Sequence, residues 1–149
     1  MANGASITLE ATVLPDNIAK VISGSMAVDP SDANHKWYYK LTSVTNSSND
    51  LIGGYYSNYT ALADSAVPET VNASDTVAFL LIKNNDTTKH IYLNIAAGTA
   101  AAAAGNIYIN AGETWYARLT STLVGSIHAI SSSSTVECTV IAMFDDVSV

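Results

Sequence analysis

Basic residues are scarce in this chain. Six of its 149 residues are Lys or Arg, and Arg118 is the one arginine. The clustered cations that neutralise phosphates are therefore missing, which argues against nucleic-acid binding. Lys20, Lys36, Lys40, Lys83 and Lys89 are scattered, so no polybasic membrane anchor is encoded either. Charge of both signs reaches 13%, against about 25% in a typical soluble domain. Cysteine occurs once, at Cys138, which excludes an intrachain disulfide framework and a multi-cysteine zinc site. The most apolar stretch, residues 95–105, is broken by Gly and Thr and falls well short of the roughly 20 residues of a membrane helix. Residues 1–14 carry no basic segment before an apolar run, so they read as the start of a mature chain rather than as a secretion signal.

Motifs for chemistry are also missing. No serine sits in a GxSxG elbow, and Gly53-Gly54 is not followed by the Lys and Ser or Thr of a phosphate loop. Asp145 and Asp146 are adjacent, so on a strand they point to opposite faces and cannot share a substrate. His35 lies near Asp29, Asp32 and Asn34, but this spacing lacks the central Gly and terminal Glu of a calcium loop. An Asp-Pro turn is the simpler reading there. His90 and His128 read as surface or sheet-edge side chains, and Ser131 to Ser134 as a polar turn. The sequons at Asn46, Asn58, Asn72 and Asn85 are what a chain so rich in Asn, Ser and Thr contains by chance. The expectation is a protein without catalytic residues, cofactor or metal.

What the chain has instead is 17 Ser, 15 Thr and 12 Asn beside 48% hydrophobic residues. Disorder requires low hydrophobicity joined to high charge, so an ordered fold with an uncharged polar surface is expected. The dominant periodicity is two, the mark of half-buried strands. Ile7, Leu9, Ala11 and Val13 alternate with Thr8, Glu10 and Thr12 in a first strand, and a second runs from Ile18 to about Val28. A third strand covers Lys36 to Thr42. Residues 51–74 read as a long loop with one edge strand. Thr76 to Lys83 is apolar at both parities, which fits a central strand or one covered by a partner subunit.

The second half continues with strands at 90–96, 106–110, 113–120, 125–130 and 135–144, with turns marked by Gly98, Gly105, Gly112 and Ser121 to Gly125. Cys138 shares its parity with Val136, Val140, Ala142 and Phe144 and reads as core. The matching segments Ile91-Tyr92-Leu93-Asn94 and Ile107-Tyr108-Ile109-Asn110 are best explained as neighbouring strands with one binary pattern. Ala100 to Ala104 is too short to nucleate a helix between its flanking glycines and reads as a compact loop. About nine or ten short strands and no long helix predict one all-β domain over residues 1–149, an antiparallel β-sandwich or jelly roll. Residues 1–17 would be an N-terminal arm or its first strand.

Aromatic residues cluster. Five of the eight tyrosines fall between residues 38 and 59. In the third strand, Trp37 and Tyr39 are assigned to the core and Tyr38 to the outside. Tyr38, Tyr55, Tyr56 and Tyr59, with Ile7 and Leu9 of the first strand, are the candidate interface residues, because rigid rings bury area at small entropic cost.

The succession VAFLLIKN, HIYLNI, NIYINAGETWYARL, SIHAIS and TVECTVIAMFDDV from Val77 to Val147 resembles small virion structural proteins of tailed bacteriophages, marine ones in particular. The MANGAS start and the Ser, Thr, Asn and Ala richness are similar to capsid decoration (cement) proteins. The resemblance implies a homo-oligomer, a trimer by preference, on the capsid exterior, with the major capsid protein or another virion protein as partner. It transfers no functional residue. A tail, neck or fibre-associated subunit is one alternative, and a carbohydrate- or receptor-binding β-sandwich with tyrosines stacked on sugar rings is another.

Overall fold

The computed structural model describes residues 4–13, 20–30, 35–53, 70–96, 99–101 and 107–145. It divides into two compact units, Met1–Asp32 and Ala33–Val149.

The first unit is an antiparallel hairpin of β1 (Ala5–Val13) and β2 (Lys20–Val28). Its register sets Ile7 opposite Met26, Leu9 opposite Gly24 and Ala11 opposite Ile22, while Thr8 faces Ser25 and Glu10 faces Ser23. Directly opposed residues share a face of the ribbon. One face is therefore a stripe of Ile7, Leu9, Ala11, Ile22, Met26 and the buried Val28, and the other carries Thr8, Glu10, Ser23 and Ser25 together with Val21, 59% exposed. Leu9 is 48% exposed and Ile22 51%. A lone two-stranded ribbon is marginally stable in water at best, so this stripe calls for a cover.

The second unit is a sandwich of two four-stranded antiparallel sheets. Its strands are β3 (His35–Val44), β4 (Asn49–Asp50), β5 (Thr76–Asn84), β6 (Ile91–Asn94), β7 (Ile107–Ile109), β8 (Thr114–Leu123), β9 (His128–Ser131) and β10 (Val136–Asp145). The first sheet has the order β3-β10-β5-β8 and the second β4-β9-β6-β7. Between them lies one core, built from Val136, Cys138, Val140, Ala142 and Phe144 of β10, Leu80 and Ile82 of β5, and Ile91, Leu93, Ile109 and Ala129 of the second sheet. This is the all-β sandwich expected from the period-two pattern. β5 is a central strand, as its double apolar parity predicts. Leu80 and Ile82 enter the core, while Phe79 lies edge-on to Trp37 at 6.2 Å between ring centroids.

The third strand corrects the sequence reading. Its alternation holds but its phase is inverted, because Tyr38 is 1% exposed and Tyr39 53%. The register explains the choice. Tyr38 stands opposite Ala142, whose small side chain leaves room for the ring, and the ring packs 5.5 Å from that of Phe144. The Tyr38 hydroxyl donates to the Gly53 carbonyl at 3.2 Å, which satisfies its one polar atom. Burial pushes its phenol pKa up. Tyr38 is thus a core anchor and no longer an interface candidate.

Two further boundaries shift. β8 continues to Leu123, with Ser121 in the left-handed region at φ 57°, and a 3-10 turn at Val124–Ser126 precedes β9. The extra residues of β8 opposite Val77 and Phe79 form a bulge, which spoils that sheet edge for pairing with another strand. The opposite edge, β3, keeps an unbroken register with β10 from His35 to Val44. Tyr55, Tyr56 and Tyr59, most of the predicted 51–74 loop and much of the 100–104 loop lie outside the described residues.

Candidate functional site

The outward face of the second sheet gathers the most chemistry. Along β6 and β9 the inward residues Ile91, Leu93, Ala129 and Ser131 are buried, so Tyr92, Asn94, His128 and Ile130 face out. Register then builds two rows. Tyr108 of β7 stands opposite Tyr92, and Tyr92 opposite Ile130. One pleat repeat along the strands, about 7 Å away, Asn94 stands opposite His128, and His128 opposite Asp50.

His90, just before β6, completes the aromatic row. Its ring lies 4.6 Å from Tyr108 at an interplanar angle of 37° and 5.2 Å from Tyr92 at 85°. The two tyrosine rings are 5.6 Å apart and nearly perpendicular. Edge-to-face and offset contacts of this kind suit the ring quadrupoles. The His90 Nε2 and the Tyr92 hydroxyl are 3.2 Å apart, so the cluster is held by a hydrogen bond as well as by packing. Tyr108, at 51% exposure, presents its ring to solvent.

Asn84 positions His90. It is fully buried at the end of β5, donates to the carbonyls of Lys89 at 2.8 Å and Asn110 at 3.0 Å, and accepts from the Asp86 N–H at 3.0 Å. One amide thereby ties the β5–β6 turn to the end of β7. Asp86 tightens the same turn by accepting from the N–H groups of Thr88 and Lys89. Those bonds, with the nearby Lys89 ammonium, hold its carboxyl down to about 2.

The polar row contains a relay. His128 Nε2 lies 2.9 Å from Asp50 Oδ1, and His128 Nδ1 lies 3.2 Å from Ser48 Oγ. A carboxylate only accepts, so Nε2 carries the proton, and in the neutral ring Nδ1 accepts from the Ser48 hydroxyl. The connectivity is that of a serine, histidine and carboxylate chain. Its setting is structural: Ser48 Oγ also accepts the Ala100 N–H at 2.8 Å, and the Asp50 side chain is 72% exposed. The relay fastens β4 and the segment at Ala100 to β9. His90 and His128 lie on the outward face, as the surface reading expects, and are tied into connected networks. Ser48 and Asp50 lie about 80 positions from His128, beyond the reach of local motif reading. The Ile-Tyr repeat was the one sequence signal for the aromatic row.

Among the described residues, no group of three or more His, Cys, Asp or Glu is arranged to hold a metal ion. Cys138 is fully buried, and desolvation, aided by Glu137 and Asp86, pushes its thiol up to about 12. The neutral thiol is a poor nucleophile. A thiol reagent at pH 8 is expected to leave the native protein unlabelled and to react with one equivalent once denaturant unfolds it. The raised value also removes stability as pH climbs above 9, where the unfolded thiol ionises and the folded one does not.

No protein-family model, curated protein or solved structure matches this chain.

Proposed function

We propose that the protein is a structural subunit that works in multiple copies, a capsid decoration (cement) protein of a tailed bacteriophage, bound to the major capsid protein on the outside of the head. The observation that supports this reading is the β1–β2 hairpin, a separate unit on whose apolar stripe Leu9 and Ile22 are 48% and 51% exposed. Such a ribbon gains stability by packing on another surface. The sandwich carries exposed apolar surface too, with Tyr39 and Leu41 of its unbulged edge strand β3 at 53% and 58% exposure. The low charge fits as well. A surface destined for burial in contacts avoids the desolvation cost of charged groups, and many weak contacts on a lattice add through avidity.

The test is co-sedimentation with capsids. Purified protein is expected to pellet with expanded phage heads lacking their decoration protein and to raise the temperature at which they release DNA. Protein that stays in the supernatant at every ratio to capsid overturns the assignment.

A further inference from the structure

The aromatic row on the second sheet is not used by the assembly reading, and it has the make-up of a ligand platform. We propose that His90, Tyr92 and Tyr108, with Asn94, His128 and Asp50 beside them, bind a neutral saccharide.

Three features of the geometry argue for a sugar. The first is the exposed Tyr108 ring, held by the tilted His90 ring at 4.6 Å and by the nearly perpendicular Tyr92 ring at 5.6 Å. A ring fixed in this way loses little entropy when it stacks, and its negative face attracts the polarised C–H bonds of a pyranose. The second is the polar row. The sheet order β4-β9-β6-β7 sets Asp50 and Tyr108 on opposite edges, three strand spacings or about 14 Å apart, so an oligosaccharide with one unit stacked on Tyr108 carries the hydroxyls of its further units toward Asn94, His128 and the exposed Asp50 carboxylate. A few placed polar groups beside an apolar surface are what fix orientation in a small-ligand site. The Asp50 carboxylate accepts from sugar hydroxyls, and the relay through His128 to Ser48 holds it in place.

The third feature is charge, and it decides between ligands. The rows carry no Lys or Arg, and Lys89 beside His90 lies 3.5 Å from Asp86. With Asp50 in the site and a net charge of −7, phosphorylated, sulfated and uronic ligands are repelled. A row of groups that spans the sheet from β7 to β4 also favours a polymer chain lying across it over a small ligand held in a cleft.

Native gel electrophoresis through neutral polysaccharides (mannan, galactan, xylan and β-glucan), with alginate as the acidic comparison, tests the proposal with the full chain. At least one neutral polysaccharide is expected to retard the protein. Tyr108→Ala should weaken that retardation about tenfold, the scale of one lost stacked ring, and Asp50→Ala should weaken it too. Because Tyr108 packs on His90 and Tyr92 and Asp50 holds His128, urea unfolding of both variants beside the parent separates lost binding from lost fold. Leu123→Ala, at an exposed apolar residue on the other sheet, should bind as the parent does. Retardation by none of the neutral polysaccharides, retardation by alginate alone, or undiminished binding by Tyr108→Ala overturns the proposal. None of these outcomes bears on capsid binding, so the two assignments fail separately.

Discussion

Replacing Asn84 by leucine is expected to lower the unfolding free energy by about 3 kcal/mol. Leucine keeps the heavy-atom count and branching of the side chain but is bulkier, so the loss comes from hydrogen bonding and some overpacking and not from a cavity. The native amide donates to the Lys89 and Asn110 carbonyls and accepts the Asp86 N–H. Leucine leaves all three without that partner at a fully buried position. Each buried orphan costs about 1–3 kcal/mol, and partial access of water to the turn keeps the total near the lower end of the sum. Urea unfolding should show a lower midpoint with an unchanged slope, since the surface exposed on unfolding stays the same. The neighbouring Asn85 makes an exposed side-chain bond to Thr139 at 2.9 Å. Asn85→Ala should therefore cost under about 1 kcal/mol. Equal losses at the two positions would contradict the role given to the buried amide.

The second large effect is expected in the hairpin. Leu9 and Ile22 lie on the same face of the ribbon, Leu9 opposite Gly24 and Ile22 opposite Ala11. If that face is covered by another subunit, Leu9→Lys with Ile22→Lys removes two apolar side chains from the contact, each worth about 1.5–3 kcal/mol when buried. The dissociation constant of the assembly should then rise by about 10² to 10⁴. Thr8 and Ser25 face each other on the opposite side. Thr8→Lys with Ser25→Lys adds the same charge and should leave assembly nearly intact. The stability of the sandwich, read by urea unfolding, should be alike in both double variants, because its core is a separate unit.

Much of this architecture was legible in the sequence because strands announce themselves locally. The Ile7-Leu9-Ala11 alternation predicts the apolar stripe of β1, and the double parity of Thr76 to Lys83 predicts a strand covered on both sides. The run Trp37-Tyr38-Tyr39 resisted, since three large aromatics in succession give no hydrophobic contrast with which to set the phase. What set it was the partner residue, Ala142 opposite Tyr38, about a hundred positions away. The same limit hid the outward face of the second sheet. The Ile-Tyr-Leu-Asn and Ile-Tyr-Ile-Asn segments read as neighbouring strands, which they are. Only the antiparallel register, however, brings Tyr92 against Tyr108 and Asp50 to His128. Residue type and period are local properties, whereas a binding surface is a property of pairing.

Self-association through the hairpin is the claim on which the rest of the assembly account depends, and sedimentation velocity of the intact chain across a concentration series measures it directly. The account predicts a species whose mass is a whole multiple of one chain, dissociating as the protein is diluted, and a single-chain species for the Leu9→Lys, Ile22→Lys variant at concentrations where the parent is assembled. A parent protein that sediments as one chain at every concentration, or a double variant that assembles as the parent does, would contradict it.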